Sequence, residues 1–126
     1  HQHDPDLLVQ VTGFRWAWRV VYPQYNIASP ELVVPLGSRV QFDVTATDIL
    51  HSFWIPGFRV KVDAVPGLVT TTHATPTQLG SFETDEGLRI QCAELCGVAH
   101  GLMKMPVRVL GRDDFDKWMA EQVAKR

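Results

Sequence analysis

Apolar and polar residues alternate with a period of two through much of this chain. From Phe14 onward, the apolar Phe14, Trp16, Trp18 and Val20 alternate with polar positions that include Arg15 and Arg19. Between Arg39 and Ala46, Val40, Phe42 and Val44 face one side and Arg39, Gln41 and Asp43 the other. Such alternation is the signature of half-buried strands. It predicts strands over 6–13, 14–22, 31–37 and 39–46, with a turn at Pro23 and the polar stretch 26–30. Further short strands are expected over 67–72, 78–82, 88–91 and 106–110. Many short strands broken by Gly and Pro argue for a sandwich or barrel. The period changes after Asp113. Phe115, Trp118, Met119 and Val123 recur at three- and four-residue spacing, as on one face of a helix. Asp113 and Asp114 suit its start, and Lys125 and Arg126 its end. The expected fold is all-β, a sandwich or barrel closed by a short C-terminal helix, in one domain over 1–126.

Composition narrows the function classes. The chain has 126 residues, enough for one domain with a real core and no disulfide support. Its formal charge of −2 excludes a strongly basic nucleic-acid binder. No apolar run approaches the roughly 20 residues of a membrane helix, and no signal peptide is visible. The chain opens at His1 without an initiating Met, so it is expected to be a soluble fragment or processed form of a longer protein.

The chemistry concentrates in residues 91–103. Both cysteines of the chain, Cys92 and Cys96, lie there, followed by His100 and Met103. Two thiols, an imidazole and a thioether form a soft ligand set that favours copper over the oxygen-seeking calcium, magnesium or manganese. The thioether discriminates further. Structural zinc sites use Cys, His and carboxylate, whereas electron-transfer copper accepts a weak axial methionine. Two other readings stand beside copper. Cys92 and Cys96 could form a disulfide, although on a straight strand they would lie ~13 Å apart, too far to bridge without a tight loop at Gly97. Zinc could be held by Cys92, Cys96, His100 and one more histidine. One short loop rarely encloses a metal, so another donor should come from elsewhere. His51 is the best candidate, after an apolar strand end and before an aromatic, proline-bearing turn. His1 and His3 sit at the terminus, and His73 in a polar run that reads as an exposed strand end.

The pattern Cys92-x-Glu94-x-Cys96-Gly97-x-x-His100-x-x-Met103 resembles the dinuclear copper loop of cytochrome c oxidase subunit II, the CuA domain of haem-copper oxidases. Three other blocks resemble that family in order: Gly13 to Trp18, Asp48 to Phe53, and Val60 to Gly67. The resemblance implies a cupredoxin-like Greek-key barrel. It implies two copper ions bridged by the thiolates of Cys92 and Cys96, with His51 and His100 each binding one. Met103 and the backbone carbonyl of Glu94 would be weak outer ligands. The Glu94 side chain would hold magnesium only in the full complex. Cytochrome c would be the electron donor and the haem of oxidase subunit I the acceptor. N-terminal membrane helices, absent from this chain, would anchor the protein with this domain on the periplasmic face, or in the intermembrane space if mitochondrial. Trp16 matches the family's proposed electron-entry tryptophan, although Arg15 replaces the usual glutamine.

Trp16 and Trp18 share strand parity, so both could instead point into the core. Arg15 and Arg19 flank them, and the one compact acidic group, Glu83, Asp85 and Glu86, reads better as a solvated turn than as a docking rim. The donor surface is therefore expected to be more apolar than electrostatic. Other family readings are the CuA domain of nitric oxide reductase and that of nitrous oxide reductase; Glu94 and Asp63 argue against the latter. A mononuclear blue-copper protein needs one cysteine rather than two.

Overall fold

The computed structural model describes residues 4–92 and 103–126. Its strands are β1 (Leu7–Phe14), β2 (Ala17–Tyr22), β3 (Ile27–Ser29), β4 (Leu32–Pro35), β5 (Val40–Ala46), β6 (His51–Ile55), β7 (Val60–Ala64), β8 (Thr70–Ala74), β9 (Arg89–Cys92) and β10 (Lys104–Leu110). The described residues add a 3-10 turn at Pro56–Phe58 and end in the α-helix α1 (Arg112–Lys125). Two five-stranded sheets form, in the orders β3-β2-β1-β5-β8 and β4-β10-β9-β6-β7. The chain crosses between them repeatedly, which pairs β1 with β5 and β4 with β10 in parallel within otherwise antiparallel ladders. This is the cupredoxin-like sandwich with a C-terminal helix that the strand pattern and the resemblance predict.

The alternating residues supply the core. Val40, Phe42 and Val44 of β5 and Phe53 and Ile55 of β6 are buried in one core, where the Phe42 and Phe53 rings lie 5.4 Å apart across the gap between sheets. Tyr22 locks the sheets together. Its hydroxyl donates to the Val33 carbonyl at 2.8 Å and accepts from the Val33 amide at 2.7 Å, joining β2 to β4. Burial pushes the Tyr22 phenol far above its usual range. Helix α1 buries Phe115, Trp118 and Met119, with Asp113 and Asp114 in its first turn and Lys125 in its last, as the spacing predicts.

Several local expectations need correction. Residues 78–82 form no strand; Gly80 alone bridges to Val109, and the segment turns beside it. Residues 67–69 belong to a loop opened by Gly67 at φ 81°, and β8 starts only at Thr70, with His73 inside it and exposed. The expected turn over 26–30 contains the short strand β3, entered through Asn26 at φ 57°. His51 opens a strand rather than following one, and β7 is a further strand. Alternation could not reveal β6 because four of its five residues are buried, on both of its faces.

Candidate metal centre

Three of the proposed ligands lie in described residues, and strand register brings them to one end of the sandwich. Phe53 of β6 pairs with Cys92 of β9, and His51 lies two residues before Phe53, on the same face. Ile90 pairs with Met105 of β10, so Cys92 at the end of β9 and Met103, just before β10, continue that interior face. Residues His51, Cys92 and Met103 are all fully buried. Glu94, Cys96 and His100 lie outside the described residues.

The His51 ring is held by its far nitrogen. Its Nε2 lies 2.9 Å from Asp48 Oδ1. The same carboxylate accepts from the Ile49 amide at 2.6 Å and, through Oδ2, from the Arg15 amide at 2.7 Å. Partial burial pushes the Asp48 pKa up, but hydrogen bonds from Arg15, Ile49 and His51 outweigh it and bring it down to about 2. An ionised carboxylate only accepts, so Nε2 is the nitrogen that carries hydrogen. In the neutral ring Nδ1 then presents a lone pair. That Nδ1 is buried and has no hydrogen-bond partner among the described residues. A buried, unsatisfied imidazole nitrogen costs free energy unless something occupies it. Carboxylate on one nitrogen and an open lone pair on the other is the usual arrangement of a metal-binding histidine. The donor set therefore fits a soft metal: imidazole, cysteine sulfur and thioether share one buried face.

A second support comes from the opposite sheet. Trp18 of β2 packs edge-on against His51, with ring centroids 6.3 Å apart. Its Nε1 donates to the Met103 carbonyl at 3.2 Å. Gly13 makes room for this: a Cβ there would stand 2.9 Å from the indole and 3.3 Å from the His51 ring. Neither Asp48, Trp18 nor Gly13 stood out in the sequence as support for the site. The Asp48-x-x-His51 spacing was a usable signal for the carboxylate; nothing local marked the indole's reach to Met103.

Trp16 and Trp18 diverge despite their spacing. The β1–β2 turn falls at Arg15 and Trp16, which breaks strand parity, so Trp18 is 5% exposed and Trp16 42%. Through the Arg15 amide, the Trp16 turn is tied to Asp48 and hence to His51. The exposed side chains Trp16, Leu50, Leu68 and Val69 all sit in loops at this end. Arg15 and Asp48 lie 3.8 Å apart and offset each other's charge there. The acidic group Glu83, Asp85 and Glu86 precedes β9 and so stands at the end of that strand away from Cys92. Asp85 caps the Gly87 amide, a bond internal to the turn.

Known proteins share this architecture. The family model for the periplasmic domain of cytochrome c oxidase subunit II matches residues 27–110. Cytochrome c oxidase subunit 2 of Thermostichus vulcanus is 43% identical over 120 residues, 95% of this chain and 35% of that protein. The chain thus spans about a third of that relative's length. The crystal structure of the periplasmic domain of subunit II from Bradyrhizobium japonicum superposes with a TM-score of 0.86 at 28% identity, covering 98% of this chain and 97% of that one. A subunit II domain captured as a mixed disulfide with a thioredoxin-like protein gives a TM-score of 0.84 at 29% identity, covering 99% and 97%. With its family model spanning most of the sandwich, the chain belongs to the family of the cytochrome c oxidase subunit II periplasmic domain.

Proposed function

We propose that this chain is the electron-entry module of a haem-copper oxidase, holding two copper ions between Cys92, Cys96, His51 and His100. The carrying observation is the buried Nδ1 of His51, without a hydrogen-bond partner among the described residues, on a ring that Asp48 orients and on the strand face that Cys92 and Met103 share. Cys92 and Cys96 would hold both ions through their sulfurs, with Met103 and the Glu94 carbonyl as further, weaker donors. Bound there, copper would supply a one-electron couple. The protein's contribution is to hold the ligands still. Asp48, in the loop before β6, pins His51, and Trp18 of β2 pins the Met103 backbone; their burial keeps solvent from reorganising as charge arrives. The thiols must be deprotonated for binding, so acid opposes loading.

Cytochrome c is the proposed donor and the haem of oxidase subunit I the acceptor. Trp16 is the proposed entry point, within an apolar rim of Leu50, Leu68 and Val69. Docking there rests on apolar contact, so moderate salt should slow cytochrome oxidation little; strong slowing would count against it. In the longer protein, N-terminal helices hold this domain on the outer face of the membrane. Because a related domain forms a mixed disulfide with a thioredoxin-like protein, a partner of that kind is proposed to keep Cys92 and Cys96 reduced before metal enters.

Copper loading tests the central claim. The expected product is purple, with two copper ions per chain and a paramagnetic resonance signal delocalised over both. A single ion per chain without delocalised spin refutes it. Preference for colourless zinc would favour a zinc-stabilised binding domain instead.

A further inference from the structure

We propose that Trp18 is a positioning residue for the metal centre, clamping two ligands that arrive from different strands. This rests on the copper reading above and goes beyond it. The buried indole spans from sheet to sheet. Its N–H reaches the Met103 carbonyl at 3.2 Å, and its ring meets the His51 edge at 6.3 Å and 63°. Phe53 backs it at 5.9 Å, and Gly13 floors it on the paired strand. A buried indole N–H seeks a partner, and here that partner is the peptide that carries a proposed axial ligand. Moving the indole therefore moves the Met103 thioether and frees the His51 ring to tilt. Phenylalanine would fill much of the space but could not donate to Met103.

The test uses the copper-loaded chain. Trp18→Phe should retain copper yet shift the midpoint potential, change the copper coupling in the resonance signal, and release copper to a chelator about tenfold faster, matching the lower end of the affinity lost with other outer-shell partners. Trp118→Phe is the control, since it truncates another buried indole that packs on Tyr22 and Phe115 instead. It should lower thermal stability and leave the potential and resonance signal unchanged. Wild-type potential, signal and release rate in Trp18→Phe would overturn the proposal, as would equal shifts in Trp118→Phe. Should Trp18→Phe fail to fold, Gly13→Ala displaces the same indole from beneath and should shift potential and signal; wild-type values there would equally overturn it. A wild-type chain that holds no copper pair overturns the earlier reading along with this one, whereas a normal wild type with silent variants defeats the Trp18 role alone.

Discussion

Replacing Asp48 by alanine should weaken copper binding while leaving the metal-free fold largely intact. In the metal-free chain the His51 Nδ1, which has no hydrogen-bond partner among the described residues, leaves the ring able to exchange tautomers or tilt to seek one. Metal occupies Nδ1 and forces hydrogen onto Nε2, whose acceptor is the Asp48 carboxylate at 2.9 Å. Without Asp48, that buried N–H is orphaned in the bound state. Orphaning a buried donor costs about 1–3 kcal/mol. At about 1.4 kcal/mol per tenfold, this is a loss of roughly 5- to 150-fold in affinity. Outer-shell partners of metal-bound histidines are worth about 10- to 100-fold, the same range reached independently. The Arg15 and Ile49 amides also lose an acceptor, but Arg15 is exposed and Ile49 only partly buried, so water can replace it at both. Competition of the metal-free chain against a copper chelator measures the affinity, and thermal melting of the same samples checks the fold. Asp48→Asn keeps one acceptor oxygen for three donors and should fall between. An affinity for Asp48→Ala indistinguishable from wild type would refute the orienting role of the carboxylate.

Tyr22→Phe should cost about 2–4 kcal/mol in denaturant unfolding, because it strands both buried polar groups of Val33. The same tyrosine predicts alkaline sensitivity. Its folded pKa is raised, so its contribution is intact below the unfolded value near 10 and is lost as pH climbs above it; wild type should lose stability faster there than Tyr22→Phe, and parallel curves would contradict this. Met103→Leu should keep both coppers but shift the redox potential, since the axial ligand tunes it; complete copper loss would show Met103 to be a structural ligand. Cys96→Ser should abolish the delocalised resonance signal, and its survival would exclude a bridging thiolate.

The kinds of donor atom were legible in the chain, because they and their spacing are local properties. Soft sulfur with imidazole favours copper over oxygen-seeking metals, and His51 stood out as the best remote candidate among five histidines. Alternation likewise exposed β2 and β5, where one face is buried and the other wet. It missed β6, covered on both faces, and it expected a strand over 78–82, where the chain only touches β10 through Gly80. Tertiary structure alone decided the rest. Parity allowed both Trp16 and Trp18 an inward direction, until a turn at Arg15 and Trp16 sent one indole outward and left the other in the core. Residues 18 and 103 are remote in sequence, so no periodicity relates them; their hydrogen bond exists because two sheets pack face to face with β2 opposite the end of β10. Donor chemistry is written residue by residue, while the distances between donors depend on how the sheets meet.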